Sequence, residues 1–306
     1  MKLRTLALMA LVALTLGISP NRNAVNNARP VTFDVVVTDK GGSPIAGLQR
    51  NDFRVFEDNV EQTLTSFRPS REPLAVVILA ESGDVYSRAE RARAAEGFVR
   101  NLRPDDWVAL VAFDNQADII VDFTHDRAVV VEKMRALPVA YTQDALLFDA
   151  LYFVLDRLNR IEGLEAKKAI VLLGTGRDTS SRHSYGDVLK KSASSSTVIY
   201  AVGLNQPPAM IDFSVREPGT LIRSNEASDT LRVLAQATGG LAFFPQFGSQ
   251  YNAIPQIIDT DLRNQYTLGF ASSSAKAMGK LRRLKVEVTG RQDKVRVRHP
   301  EGHYGN

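Results

Sequence analysis

The chain has 306 residues, 44% hydrophobic and 24% charged, with a formal net charge of +4 and no cysteine. The composition excludes wholesale disorder, and the length suits one large domain plus a smaller one. Without cysteine there is no disulfide framework, thiolate zinc site, lipoprotein anchor or Cys nucleophile, and so small a charge gives no footing for a nucleic-acid partner.

Residues 1–19 place Lys2 and Arg4 before a Leu/Ala-rich run, the layout of a secretory signal peptide and short for a membrane span. The expectation is a periplasmic or secreted bacterial protein with no transmembrane segment apart from that signal. Cleavage after Gly17 or Ala28 and retention as an anchor all stay open, and the oligomeric state is not legible. Residues 20–30 read as a flexible leader. A strand is expected at 31–38, then a turn at Asp39-Lys40-Gly41-Gly42 and two short strands, 53–56 and 62–67, around Glu57-Asp58-Asn59.

From Leu74 the pattern changes to strands alternating with helices. Strands are expected at 74–79, 107–113, 119–123, 169–173, 197–202 and 242–244. Helices are expected at 87–102, 127–137, 144–159, 185–193, 228–238 and 254–264, with a long loop over 205–227. The strands at 107–113 and 119–123 are close enough for an antiparallel hairpin. Strands at 266–270, 281–288 and 294–298 return the chain to β character. Val286, Val288, Val295 and Val297 are expected in a core, with Lys285, Glu287, Arg296 and Arg298 in water. The fold class that follows is α/β: a doubly wound, mostly parallel sheet with one antiparallel edge hairpin, over 74–265. It is inserted in a small β-sandwich-like domain formed by both chain ends, 31–70 and 266–304.

In the first strand-to-helix turn, Ala80-Glu81-Ser82-Gly83-Asp84 resembles the Asp-x-Ser-x-Ser loop of the von Willebrand factor A (VWA) family. With two further loops, the resemblance covers roughly 74–265. It implies a metal-ion-dependent adhesion site on the rim formed by the C-terminal ends of the strands, where oxygen ligands hold a hard divalent cation. The leading Asp is Ala80 and the last Ser is Asp84. The Thr expected before the Leu-Tyr-Asp-Ala-Leu-like helix falls on Ala145, beside Asp144, and the Asp of the third loop is Thr175. Only Ser82 matches. The site is thus degenerate, no cofactor is expected, and Mg²⁺ or Ca²⁺ has only a rearranged set, Glu81, Asp84, Asp144 and Asp178, to turn to. The flanks Val37-Thr38-Asp39, Gly47-Leu48, Asp52-Phe53 and Tyr266-Thr267-Leu268-Gly269-Phe270 resemble a bacterial, acidobacterial-type VWA-related subgroup.

Gly174-Thr175-Gly176 lacks the third glycine and the acidic partner of a dinucleotide loop. In His299-Pro300-Glu301-Gly302-His303, Pro300 and Gly302 preclude the helix that a His-Glu-x-x-His zinc site needs, which leaves a terminal loop. Ser82 has no Gly-x-Ser-x-Gly frame. The pairs Asp105/Asp106 and Glu57/Asp58 read as capping and turn residues. The basic positions Lys280, Arg282, Arg283, Lys285, Arg291, Lys294, Arg296 and Arg298 read as the wet face of strands. The functional expectation is a non-enzymatic, exported, adhesion-type module that contacts a protein partner without a metal. The rim residues Glu81, Ser82, Asp84, Asp144, Thr175, Met210 and Phe213 are its candidate contacts. The alternatives are a hydrolase-type enzyme on the same rim and an envelope scaffold that binds an anionic component through the basic strands.

Overall fold

The computed structural model describes residues 30–83, 85–138, 144–161, 163–204, 218–245, 248–272, 279–290 and 294–305, with backbone alone for 85–87, 218–225 and 248. The expected signal segment, most of the leader, Asp84, Met210 and Phe213 lie outside the described residues. The strands β1 (Pro30–Asp39), β2 (Phe53–Glu57), β3 (Val60–Gln62) and β4 (Leu64–Pro69) come first. The alternating region holds β5 (Leu74–Glu81), α1 (Val85–Asn101), β6 (Trp107–Phe113), β7 (Ala117–Thr124), α2 (Arg127–Arg135), α3 (Leu147–Arg160), β8 (Lys167–Gly174), α4 (Tyr185–Ser195), β9 (Val198–Gly203), α5 (Pro218–Ala237), β10 (Ala242–Phe243) and α6 (Ile254–Arg263). The chain closes with β11 (Gln265–Ala271), β12 (Leu281–Val288), β13 (Val295–Arg298) and β14 (Gly302–Tyr304).

The six-stranded sheet has the order β10-β9-β8-β5-β6-β7, parallel except for β7, which pairs antiparallel with β6. All eight residues of β5 are buried, because a central parallel strand is covered on both faces. One face packs Phe98 of α1, Met134 of α2 and Ile258 of α6; the other packs Leu151 of α3, Val188 of α4 and Leu234 of α5. Helices on both faces of a mostly parallel sheet make the doubly wound, VWA/Rossmann-like fold that the alternation predicts.

The chain ends form two four-stranded antiparallel sheets, β13-β1-β11-β4 and β14-β12-β2-β3. Their inner faces share a core that includes Phe33, Val35, Val55, Leu268, Phe270, Val286 and Val288, as the period-two pattern requires. Asp58 and Asn59 turn the β2–β3 hairpin with φ of 48° and 68°, the left-handed pair of a type I′ turn.

The structure corrects four expectations. The single strand at 62–67 is divided, since β3 pairs with β2 while β4 crosses to pair with β11. The long loop is shorter than 205–227 because α5 begins at Pro218, a residue suited to a first helical turn. The terminal loop holds β14, paired with β12 through Arg282↔His303. Arg282 and Arg298 do not face water. Arg282 is buried, its Nη1 donating to Ser272 Oγ at 2.7 Å, and Arg298 reaches Asp261 and the Gly239 carbonyl. Two of the basic positions therefore hold the fold together instead of forming an outward stripe.

A polar seam joins the sandwich to the α/β region. Lys167 Nζ donates to Asp34 Oδ1 at 2.8 Å and Gln265 Oε1 at 2.6 Å. Burial lowers the Lys167 pKa, against the pull of Asp34. Tyr200 donates to Asp261 Oδ2 at 2.5 Å beside Arg298, and Glu301 N donates to the Ala237 carbonyl at 2.9 Å.

Candidate functional site at the sheet rim

Chain order reverses at β5, which pairs with β6 on one side and β8 on the other. In open α/β sheets the crevice beyond the strand C-termini at such a switch point is where ligands bind. Here that crevice lies between the ends of β5 and β8, at Glu81 and Thr175.

The chain fills it with its own carboxylate. Ala80 is 0% exposed and packs into the core on the α1 side. Glu81, one residue on, is 6% exposed. Its Oε2 accepts from Thr175 N at 2.5 Å, and Thr175 Oγ1 donates to its two oxygens at 3.0 and 2.9 Å. Gly174 makes room for this, since a Cβ there would lie 2.7 Å from Glu81 Oε2. Ser82 stays at the surface margin, its N–H donating to the Phe113 carbonyl at 2.7 Å.

Two further carboxylates at the rim, Asp178 and Asp149, are also engaged. Asp178 Oδ1 caps α3 by accepting from Phe148 N at 3.1 Å, and Asp178 also takes Ser181 Oγ at 2.5 Å. Asp149 accepts from Arg182 N at 3.1 Å, from His183 N at 2.9 Å and from His183 Nδ1 at 2.7 Å. The His183 ring stacks on Tyr152 at 3.7 Å and 11°. Ala145 exchanges bonds with Thr179, N–H to Oγ1 at 3.2 Å and carbonyl from Thr179 N at 2.9 Å. Asp144 is exposed.

The described residues of the expected set do not fit a divalent cation. Ala80 offers no ligand, and the Glu81 oxygens are turned onto Thr175. The positive charges of Arg177 and Arg91 already act on that carboxylate. Of the rearranged set, Glu81 is inward, Asp178 caps a helix, Asp144 stands apart in solvent and Asp84 lies outside the described residues. Among the described residues no three His, Asp or Glu side chains come together as a metal group.

No protein-family profile matches the chain, and no curated protein matches it. Solved structures do. The chain is similar to an aerotolerance-related membrane protein from Bacteroides fragilis at 14% identity, over 62% of this chain and 98% of that one, with a TM-score of 0.48. It is similar to a von Willebrand factor type A protein from Catenulispora acidiphila at 10% identity, over 86% and 76% of the two chains, with a TM-score of 0.48. Proximal thread matrix protein 1 of the mussel byssus, solved with zinc in its MIDAS motif, is 8% identical over 63% of this chain and 49% of its own, with a TM-score of 0.49. These likenesses concern fold alone, and the fold described above stands on strand order and packing. The zinc belongs to the mussel protein.

The histidines do not complete a nucleophile at Ser82. His125 Nδ1 lies 2.9 Å from the Asp106 carbonyl with its ring against Trp107, and His183 is held by Asp149. Sequence reasoning missed the Asp149–His183–Tyr152 cluster. Its one signal was the position of Asp149 in the first turn of α3.

Burial pushes the Glu81 carboxyl above the usual carboxylate range, against the Thr175 bonds and the Arg177 and Arg91 charges. A raised folded-state pKa means that stability falls as pH rises from 4.5 through that pKa. Glu81→Gln keeps an acceptor for Thr175 but has no such titration, so its stability relative to wild type should increase across that window. Urea midpoints at a series of pH values measure this, and parallel curves for the two proteins would refute it.

Proposed function

We propose that this is an exported, non-enzymatic VWA-type module that contacts a protein partner through its rim, without a metal bridge. In this reading the candidate contacts are Ser82, Asp84, Asp144, Thr175, Met210 and Phe213, of which Ser82 and Thr175 lie on the described rim surface. Glu81 shapes it from beneath. The unit at 74–265 presents the rim, and the β-domain of 31–70 and 266–304 carries it. One observation supports the reading above the others: the switch-point crevice is closed by Glu81 on Thr175. A closed crevice favours contact across the rim over capture of a small ligand or ion within it.

The test is photo-crosslinking of the full chain in native envelope material, with the probe at Ser82 or Asp144 and a control probe at exposed Val60 in the sandwich. Discrete protein adducts from the two rim sites, unchanged by EDTA and missing from Val60, are expected. No rim adducts, or adducts abolished by EDTA, would overturn the proposal.

A further inference from the structure

The loop from Gly174 to Ser184 distributes its charges unequally. Its carboxylate, Asp178, is turned inward onto the start of α3, and the carboxylates it leans on, Glu81 and Asp149, face inward as well. Its guanidinium groups, on Arg177 and Arg182, are exposed. Among the described residues neither enters an ion pair closer than 4.0 Å.

The backbone beneath both arginines is fixed. Gly176 has φ +83°, and a Cβ there would collide with the Ala227 carbonyl and lie 2.7 Å from Leu231 Cγ, so the loop is pressed against α5. Arg177 N donates to Thr175 Oγ1 at 3.3 Å, and Arg182 N donates to Asp149 Oδ1 at 3.1 Å. The two Cα atoms are five residues apart, so their separation is at most about 18 Å. Two exposed guanidinium groups carried on this backbone suit carboxylates a few residues apart on an extended segment, since Arg binds planar oxyanions through two parallel N–H bonds.

We infer that the rim takes an acidic protein segment, its carboxylates bound directly by Arg177 and Arg182. This rests on the rim reading above and names the chemistry of its partner. A neighbouring carboxylate favours a peptide over a continuous polyanion. Exposed Asp144 adjoins Ala145, whose N–H donates to Thr179 Oγ1 of this loop, and would repel a broad negative surface such as an anionic membrane.

The experiment measures fluorescence anisotropy of a labelled Glu–Gly repeat peptide with the full chain, against a Gln–Gly peptide of the same length. Phosphatidylglycerol vesicles form a separate arm. The Glu–Gly peptide should bind, weakening with salt, and the Gln–Gly peptide should not. Arg177→Glu/Arg182→Glu should weaken binding at least about tenfold, and Arg177→Gln/Arg182→Gln should do so to a lesser degree. Both positions are exposed, so near-wild-type urea midpoints should confirm that the variants fold. Equal binding by wild type and the double variants, no binding of the Glu–Gly peptide, or arginine-dependent binding of the vesicles alone would overturn the inference. Rim crosslinks at Ser82 that survive such a failure leave the rim reading intact; loss of those crosslinks removes both.

Discussion

Asp106→Asn is expected to destabilise the protein by about 3 kcal/mol, the low end of the range for breaking a buried ion pair. The Asp106 side chain is 0% exposed. It pairs with Arg263, and its oxygens accept from Leu74 N at 2.8 Å and Arg103 N at 2.5 Å. One carboxylate thus ties the start of β5, the turn before β6 and the end of α6 into the base of the α/β region. The effect stays at the low end because Arg263 keeps Asp259 at 3.1 Å. Burial acts on the Asp106 pKa in the upward direction, but Arg263 and the two backbone donors outweigh it and hold the group below 3.8. A depressed pKa contributes stability that is present above 3.8 and lost as pH falls through the folded-state value. Wild type should therefore lose part of its advantage over the Asn variant in acid. Urea unfolding at neutral and acid pH measures both effects, and a variant within about 0.5 kcal/mol of wild type at neutral pH would contradict this role.

Glu57→Ala should cost about 3–5 kcal/mol and release the C-terminal strand. The Glu57 side chain is 0% exposed. It accepts from Ser272 Oγ at 2.7 and 2.8 Å, lies 2.7 Å from His303 Nε2 and faces Arg282 Nη1 at 3.7 Å. The alanine withdraws the anion facing the Arg282 guanidinium and the partner of the His303 ring. β14 is only three residues long, and Gly302 and Gly305 pack closely against Arg282, so a shift of that guanidinium reaches the strand directly. Amide exchange should show β14 losing protection first, and Glu57→Gln should be milder because an acceptor for Ser272 remains. Unchanged protection across residues 302–304 would refute the coupling.

Both carboxylates show how far local pattern carries. As neighbours of Asp105 and Asp58 in the sequence, Asp106 and Glu57 read as turn and capping residues. That is partly correct, since Asp106 accepts the Arg103 amide and Asp58 occupies the left-handed turn. Their arginine partners, Arg263 and Arg282, lie 157 and 225 positions away and come within reach only through the assembled sheets. Elements with a strong period were legible: the buried run of β5, the helix stripe Ala94–Phe98–Leu102, and the alternation in β12. Elements defined by pairing were not. β14 has three residues and no period of its own, and the crossing between β3 and β4 at Thr63 leaves no mark in a strand-like run. At the rim, Ala80, Ala145 and Thr175 could be read as departures from a ligand set. Where Glu81 points could not, because its direction depends on Gly174 and on the Thr175 amide across the sheet.

In the proposed reading the switch-point crevice, closed by Glu81 on Thr175, takes no divalent cation. Calorimetric titration of the full chain with Mg²⁺, Mn²⁺ and Ca²⁺ is the test. That reading predicts no binding tighter than millimolar and no rise in melting temperature with added cation. Binding tighter than millimolar that is lost on Glu81→Gln or Asp84→Ala would contradict it.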